Sequence, residues 1–393
     1  MKTADIFHIP NNSKFASLAL GAGVLGLLIS AGGLFVDRPH FFHSYLVSYA
    51  FWITLGLGGL FFTMLHHLTG ATWSVVLRRL SENIMSIVMF LAIFFIPVIV
   101  GMDYLYHWNQ HDVTAGDPIL AQKASYLNTW FFIARTIIYF ITWTFLARGL
   151  YRTSLEQDKH HDDKLVRKMR KISAPGMVLF AFTITFAAFD WFMSLSPHWY
   201  STIFGVYIFS GSLVSMLAFI TLTTIILRER GYLGDAVTLE HFHDLGKLLF
   251  AFTVFWGYIA FAQYFLIWYG NIPEETIWFR QRWGGWWQFL SLLLVFGHFV
   301  IPFLVLIGRA PKRNPAIMKF MAVWLLFMHW VDLYWVIMPN HPENAVSLLW
   351  IDFGAMLGIG GFSLWFFRRR LSAQPLVPVN DPRLEASMRL ESD

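Results

Sequence analysis

Residues 203–227, IFGVYIFSGSLVSMLAFITLTTIIL, run for 25 positions without a charged side chain and are followed by Arg228-Glu229-Arg230. A bilayer core about 30 Å thick is crossed by about 20 apolar residues of helix. Strands of a membrane barrel would instead alternate apolar and polar residues. The segment therefore predicts a membrane-spanning helix. Similar runs predict ten spans in all, at 15–36, 45–68, 84–106, 126–148, 174–195, 203–227, 246–269, 287–307, 317–338 and 346–367.

The composition agrees with an all-α polytopic membrane protein that forms one membrane domain over 1–393. Of the 393 residues, 56% are hydrophobic and 13% are charged, whereas a soluble domain has about 25% charged residues. A water-soluble enzyme is therefore excluded. Cysteine is absent, which excludes disulfides, cysteine-ligated iron–sulfur clusters, thiolate zinc sites and covalently attached haem c. The net charge of +5 does not indicate a nucleic-acid partner, because the basic residues lie between the apolar runs.

The distribution of lysine and arginine predicts the orientation, because basic loops stay on the cytoplasmic side. With ten spans, both termini lie on one face. That face carries 24 of the 29 basic residues, the opposite loops carry four, and Arg135 lies inside a span. We therefore expect both termini, with an arm at 1–14 and a tail at 371–393, to be cytoplasmic. The first run is predicted to be a retained span because it is too long for a signal peptide.

Two charged segments on the predicted cytoplasmic face are interpreted as solvent-exposed. Residues 148–173 mix acidic and basic side chains and are predicted to be a solvated, partly helical loop. The tail after Arg370 contains Pro375, Pro378 and Pro382. It is predicted to be an extended arm that lies on a partner or in water.

Two groups of four spans resemble parallel copies. The fifth span has Asp190 seven residues before Pro197, and the ninth has Asp332 seven residues before Pro339. Parallel repeats of this kind are one known plan for membrane proteins. The spacing predicts two four-helix bundles, at 45–195 and 203–338, with the first and last spans beside them.

Ionisable residues at membrane depth are costly and are candidates for function. Carboxylates and imidazoles suit proton transfer because burial and neighbours tune their proton affinity. One interpretation is an inner half-path at Asp244 and Lys247 and an outer half-path through the remaining residues. The alternative is that Arg135 pairs with one aspartate and that the other residues are interfacial or simply packed. The candidates are Asp103, Arg135, Asp190, Asp244, Lys247, His298, His329, Asp332 and Asp352.

Other patterns are weaker. His298 and His329 could make at most one bis-histidine haem site, and His241, His243 and Asp244 lack a fourth metal ligand nearby. We therefore predict no metal and no haem in this chain. The GxGxxG pattern at 21–26 lies inside a span without a preceding strand, so it does not indicate dinucleotide binding. These glycines, and those at 56–59 and 358–361, are expected to allow close helix contact.

Tryptophan is concentrated on the predicted outer side, where eleven of the 18 lie. An interfacial aromatic belt explains most of them. The stretch WFRQRWGGWW at 278–287 exceeds what anchoring needs. We interpret it as a docking surface for a partner outside the cytoplasm, because exposed Trp and Arg are favoured at interfaces.

Four stretches carry a resemblance to a known family. They are HHLTGATWSVVLRR (66–79), FDWFMSLSPHWYSTIFGVYIFSG (189–211), HDLGKLLFAFTVFWGYIAFAQYFLIWYGNIPEET (243–276) and HWVDLYW (329–335). The chain resembles the ActF membrane subunits of bacterial alternative complex III over nearly all of 45–340. ActF and its paralogue ActC are similar in turn to the NrfD and polysulfide-reductase anchor subunits, which have two four-helix bundles.

The resemblance implies a subunit of a bacterial inner-membrane quinol oxidoreductase that passes electrons to a cytochrome c, a cupredoxin or a terminal oxidase. It implies that the substrate is menaquinol or another quinol, whose site is assigned mainly to the ActC-like paralogue beside an iron–sulfur subunit. It places haem c in multihaem cytochrome subunits and no cofactor in this chain. It also implies a proton half-channel, to which Asp103, Arg135, Asp190, His298, Asp332 and Asp352 are candidates by position.

The leading expectation is thus a cofactor-free subunit, not catalytic alone, that contributes assembly and proton conduction. One alternative is a subunit that itself binds quinone in an aromatic pocket between the bundles, with His or Asp taking the proton. Another is a secondary transporter with its site at the repeat interface. Broken helices at mid-depth would favour the transporter, and Pro97 and Pro302 are the interior prolines placed for such breaks.

Overall fold

The computed structural model describes residues 7–10, 14–110, 116–160, 162–341 and 349–390. Over these residues the chain is helical and has no strand. Ten helices are long and apolar enough to cross a membrane, which confirms the all-α polytopic prediction. They are α1 (Lys14–Val36), α2 (Arg38–Thr69), α3 (Val75–Val100), α4 (Thr129–Gln157), α5 (Asp163–Leu195), α6 (Phe204–Glu229), α7 (Leu239–Gly270), α8 (Trp286–Leu306), α9 (Pro315–Asn340) and α10 (Leu349–Ala373).

Several helices begin earlier than the apolar runs predict. Helix α2 begins at Arg38 rather than at 45, because Asp37 accepts a hydrogen bond from the backbone N–H of His40 and Pro39 occupies the first turn. Helix α7 begins at Leu239 rather than at 246, after a capping box between Thr238 and His241. Capping groups satisfy the first N–H groups of a helix. The caps, not the first apolar residues, therefore set these helix starts.

The ten helices form two groups with the same packing. In α2–α5, the first helix packs on the second and the fourth, and the third helix also packs on both. The same four contacts recur in α6–α9. The two bundles meet where α2 packs on α6 and α9, and where α5 packs on α6. Helix α2 is almost entirely buried as a result.

The aspartates that suggested the repeat occupy corresponding places in the two bundles. Both α5 and α9 end in a 3₁₀ turn shortly after the aspartate, at Met193–Leu195 and Met338–Asn340. The ends touch: the hydroxyl of Ser196 donates to Oδ1 of Asn340 at 2.5 Å. The Asp-to-Pro spacing therefore marks the point where the ends of the two repeats meet.

The flanking helices α1 and α10 pack on each other with their backbones in contact. A Cβ added at Gly26 would lie 2.3 Å from the backbone nitrogen of Gly358, and one added at Gly361 would lie 2.4 Å from that of Gly23. Only small residues allow such an approach. The packing role predicted for these glycines is confirmed. Gly21 differs, because a Cβ there would meet nothing within 4 Å.

The C-terminal tail is not an extended arm on a partner or in water, so that prediction is wrong for residues 374–390. Leu376 and Val377 are fully buried, and the backbone N–H of Leu376 donates to the carbonyl of Phe7 at 2.9 Å. A short helix follows at Leu384–Met388, and the Ser387 hydroxyl donates to the carbonyl of Trp73. Leu376 and Val377 are therefore buried by other parts of the same chain. The N-terminal residues 7–10 pack beside them.

The tail completes a buried ionic cluster that the sequence analysis missed. Arg78 and Arg79 were interpreted only as topology signals, but both are buried, and Glu82 lies fully buried between them, 3.3 Å from Arg78 and 3.0 Å from Arg79. Arg78 also pairs with Asp381 of the tail, and Arg79 pairs with Asp158. The spacing of Glu82 from the two arginines, three and four residues, could have indicated it.

The pairing of Asp158 also corrects the prediction of a solvated loop at 148–173. Helix α4 continues to Gln157 and α5 begins at Asp163, so most of the segment is helical. Burial raises the pKa of Asp158 to about 6, although Arg79 opposes the shift. Mixed charge did not mean full exposure here, because one acid of the segment neutralises a buried arginine.

We predict that replacing Gly26 with alanine destabilises the chain more than the same change at Gly21. The new Cβ at Gly26 would overlap the backbone of α10, and overpacking costs about 1–3 kcal/mol. Thermal unfolding of the detergent-solubilised chain, followed by tryptophan fluorescence, should show a midpoint lowered by several degrees for Gly26→Ala. Equal midpoints for Gly26→Ala and the control Gly21→Ala would contradict this packing.

We predict that the tail stays bound between pH 5 and 8. Burial by itself would raise the pKa of Asp381, but Arg78 and Arg383 outweigh it and hold the pKa at about 2, against an ordinary 3.8. The stabilisation is therefore complete above pH 3.8 and is lost as the pH falls through 2. Hydrogen exchange of residues 376–388, corrected for the intrinsic rate, should not change between pH 5 and 8.

The variant Asp381→Asn should speed exchange of the same peptide by about ten-fold or more, because the tail loses its ion pair with Arg78. The control is Glu385→Gln, since Glu385 and Arg389 form an exposed pair in the same tail. Loss of protection in the wild type at pH 5, or equal exchange in both variants, would be inconsistent with the ion pair holding the tail.

Candidate functional site

The acid of the first bundle is held in an ion pair. Asp190 is fully buried. Arg135 donates to both of its carboxylate oxygens, from Nε at 2.8 Å and from Nη2 at 2.9 Å, and the Tyr139 hydroxyl donates at 2.6 Å. This geometry agrees with the alternative in which Arg135 pairs with one aspartate. Because both charges are satisfied, Asp190 and Arg135 stabilise the bundle by linking α4 to α5.

The corresponding acid of the second bundle has neutral partners. Asp332 is also buried, and it accepts hydrogen bonds from the hydroxyl of Tyr207 and from the indole N–H of Trp256, the latter at 3.1 Å. Among the described residues it forms no ion pair within 4.0 Å. A buried carboxyl group without a cation responds to charge changes nearby by gaining or losing a proton. The two related aspartates therefore have different chemical environments.

Two histidines lie close to this second acid. The ring of His298 stacks on Trp256 with 3.9 Å between the ring centroids. In the part of the chain that the structure describes, neither ring nitrogen of His298 has a hydrogen-bond partner. His329 lies one turn before Asp332 on α9, and its Nε2 is 3.0 Å from the hydroxyl of Thr54. We call Tyr207, Trp256, His298, His329 and Asp332 the Asp332 cluster.

Local backbone features make room for this cluster. His298 lies in a π-helical segment, Leu294–Val300. Pro302, four residues later, has no N–H to bond the His298 carbonyl, which favours such an irregularity. A Cβ added at Gly211 would lie 3.1 Å from the ring of His329 and 3.7 Å from Asp332. The glycine in α6 therefore leaves space for both side chains.

A cavity of about 880 Å³ adjoins the Asp332 cluster. Tyr207 and Trp256, the two donors to Asp332, form part of its wall. The lining residues Phe261 and Val295 are each more than half exposed, so the cavity opens outward between α7 and α8. It lies inside the second bundle, whereas the alternative hypothesis of a quinone-binding subunit predicts an aromatic pocket between the bundles. Its wall also includes Gln263, Tyr264, Phe279, Arg282 and Trp335.

The other outer candidates lie apart from the cluster. Asp352 is buried and contacts the Ser44 hydroxyl, Nε2 of His40 at 3.2 Å and the Tyr334 hydroxyl at 3.3 Å. Asp103 is exposed and accepts a hydrogen bond from the amide of Asn109 at 2.5 Å. Asp103 therefore has the environment of an interfacial residue, whereas Asp352 belongs to a buried polar network.

The inner candidates form a local pair. Lys247 lies 2.5 Å from Asp244, three residues earlier on α7. Their neighbours His241 and His243 have other contacts, since His241 caps the helix at Thr238 and His243 lies 3.7 Å from Glu240. Twelve residues of helix separate Asp244 from Trp256, which is about 18 Å. Direct contact does not join this pair to the Asp332 cluster, so water would have to bridge the gap.

The tryptophan-rich surface is only partly exposed. In the 278–287 stretch, Trp278, Trp287 and Arg282 are buried, and Arg282 donates to the carbonyls of Trp278, Trp335 and Val336. These three residues pack the end of α9 and do not form a docking surface, contrary to the sequence interpretation. Of the eleven outer tryptophans, the exposed ones are Trp130, Trp268, Trp283, Trp286 and Trp350.

No protein-family model matches this sequence, and no curated protein matches it. The resemblance to the ActF subunits therefore rests on the four stretches quoted above. The chemistry of the site rests on the contacts of Asp190, Asp332 and Asp352.

Proposed function

We propose that this chain is a cofactor-free membrane subunit of a respiratory quinol oxidoreductase of the alternative complex III type. It lies in the bacterial inner membrane with both termini in the cytoplasm. Its structural role is to hold the complex together with an ActC-like paralogue, an iron–sulfur subunit and multihaem cytochrome c subunits. Its second role is to carry a proton half-path in its second bundle. The resemblance supplies the complex and its partners, and the side-chain environments support the half-path.

The observation that supports proton conduction is the difference between the two related aspartates. Arg135 binds Asp190 through two hydrogen bonds, so that this acid is held in a structural ion pair. Among the described residues, Asp332 accepts hydrogen bonds from neutral donors, so its proton occupancy follows the charge around it. Proton transfer is therefore assigned to Asp332. Asp190 has a structural role in the first bundle.

The proposed path runs from Asp332 to the cavity. Tyr207 both donates to Asp332 and lines the cavity, so its hydroxyl connects the buried acid to water in that space. Oxidation of quinol elsewhere in the complex changes the local charge, and Asp332 responds by releasing a proton through Tyr207. The inner pair of Asp244 and Lys247 supplies protons through water along α7.

We predict that Asp332→Asn and Asp190→Asn affect the complex in different ways. In reconstituted complex, Asp332→Asn should lower proton release per quinol by half or more while the purified complex keeps its wild-type melting midpoint, because it removes the exchangeable proton. Asp190→Asn should lower the melting midpoint, because Arg135 loses its counter-charge, while proton release per turnover of the surviving complex stays normal. Proton release is measured with a pH dye beside quinol turnover.

The variant Tyr207→Phe serves as a second measurement, since it keeps the ring and removes the hydroxyl. It should reduce proton release in the same direction as Asp332→Asn. Unchanged proton release in both Asp332→Asn and Tyr207→Phe would show that protons do not pass through these two residues.

Quinone binding by this chain is the second candidate, and the cavity favours it. Small-molecule sites usually have about 300–1,000 Å³ and apolar, aromatic walls with a few polar groups. The cavity of about 880 Å³ has such walls and opens outward between α7 and α8. Its inner end reaches Tyr207 and Trp256, so a bound quinol would lie beside the donors to Asp332.

We predict that a photoreactive quinone labels residues of this cavity if the second candidate is correct. Mass spectrometry should find the adduct on α7 or α8, at cavity residues such as Tyr264 or Val295, and excess unlabelled quinone should abolish it. The control region is the groove of about 680 Å³ beside Phe140 and Phe145 of α4. Equal labelling of the two regions would indicate partition into the surface and not a quinone site.

A further inference from the structure

A cluster of imidazole and carboxylate groups lies at the end of the molecule opposite the terminal segments. Asp37 joins α1 to α2, His40 lies in the first turn of α2, and His341 follows the end of α9. One ring nitrogen of each histidine and one carboxylate oxygen lie within 4.8 Å of one another. Three groups that commonly bind transition metals thus meet from two distant parts of the sequence.

His40 has a ring nitrogen without a hydrogen-bond partner among the described residues. Its side chain is fully buried. Its Nε2 lies 3.2 Å from a carboxylate oxygen of Asp352, so Nε2 carries the proton and Nδ1 keeps a lone pair. Within the described residues Nδ1 has no hydrogen-bond partner, and a buried nitrogen without a partner costs free energy. A carboxylate that orients a histidine in this way is the usual outer partner of a metal-bound imidazole.

His43 repeats this arrangement one turn later on α2. Its Nδ1 donates to the carbonyl of Pro39 at 2.8 Å, which leaves the lone pair on Nε2. In the described part of the chain, that buried Nε2 also has no partner. The ring lies 5.7 Å from that of His341, centroid to centroid. A backbone carbonyl thus fixes the tautomer of His43, as Asp352 fixes that of His40.

The separation of the remaining two groups fits a shared ion. Nε2 of His341 lies 3.4 Å from Oδ2 and 3.5 Å from Oδ1 of Asp37, which is longer than a good hydrogen bond. Ligands about 2.0–2.1 Å from a tetrahedral zinc ion are about 3.3 Å apart. The two groups therefore already lie at the spacing that a bridging ion sets.

We propose that Asp37, His40 and His341 form a binding site for a divalent transition metal, with Zn²⁺ as the ion that suits it, and that His43, which lies outside this group of three, moves toward the ion to complete the coordination. Bonds form from Nδ1 of His40, Nε2 of His341, a carboxylate oxygen of Asp37 and Nε2 of His43. Asp352 is a positioning residue of this site. The inference differs from the sequence prediction of no metal, and it does not depend on the proposed function.

The site joins the two repeats. Asp37, His40 and His43 belong to the start of the first bundle, whereas His341 lies at the end of the second. A tetrahedral ion there would hold the α1–α2 corner against the end of α9. Its role is structural, because four protein ligands leave no open position for a substrate.

The test uses the full-length chain, purified in detergent and stripped of metal with a chelator. Calorimetric titration with Zn²⁺ should show one equivalent, and Co²⁺ should give the intense visible absorption of a tetrahedral complex. His40→Ala and His341→Ala should each weaken Zn²⁺ binding by about 100-fold or more. Asp352→Asn should weaken it by about 10–100-fold, as loss of an outer partner does.

The matched control is His198→Ala. His198 is a half-exposed histidine at the same end of the molecule, and it lies 2.5 Å from Asp117. Its removal should leave both the affinity and the Co²⁺ spectrum unchanged. Because alanine can prevent folding, His341→Gln and Asp37→Asn are measured as well, with monodispersity as the criterion of folding.

Two results would overturn the proposal. One is wild-type chain that gives no tetrahedral Co²⁺ spectrum, which needs no variant for its interpretation. The other is Zn²⁺ affinity that is equal in the wild type, His341→Gln and Asp37→Asn. A tetrahedral spectrum that is lost in these folded variants and kept in His198→Ala supports the site.

Discussion

The close approach of α2 and α6 is the contact on which the rest of the molecule depends. A Cβ added at Gly58 would lie 2.5 Å from the carbonyl oxygen of Ser212, and the Ser212 hydroxyl donates to the carbonyl of Thr54 at 2.7 Å. A bilayer core holds no water to form hydrogen bonds with such hydroxyl and carbonyl groups, so neighbouring helices form these hydrogen bonds with each other. Each of these helices is the first of its repeat, and their contact fixes the relation between the bundles.

The same contact sets the position of the polar groups. Thr54 lies beside Ser212 and also bonds His329, while Gly211, one residue earlier on α6, faces both His329 and Asp332. The Asp332 cluster is therefore built onto the bundle interface and not onto a loop. A rigid scaffold of this kind holds buried polar groups at fixed distances. The first bundle uses the equivalent place for the ion pair of Asp190 and Arg135.

The sequence predicts the fold better than the site. The ten spans could be counted because each apolar run needs only its own residues, and the close-packing glycines could be recognised from their spacing. The partners of Asp332 could not, because Tyr207 and Trp256 lie on other helices and only packing brings them together. For the same reason the sequence did not reveal the cluster of Asp37, His40 and His341, because His341 lies 304 residues after Asp37. Glu82 was missed for a simpler reason: it lies just before the apolar run that begins at 84, and the helix begins earlier than the run does.

The first helix packs chiefly on the last one, and the tail neutralises Arg78 of the third. A ribosome makes the chain from the N-terminus, so α1 must wait in the membrane until α10 has been inserted. Arg78 likewise lacks Asp381 until that residue has been synthesised. A chain that ended before residue 349 would leave α1 without its packing partner, and Arg78 would keep Glu82 but lack Asp381. The native packing of α1 and the pairing of Arg78 thus depend on residues that are synthesised long after them.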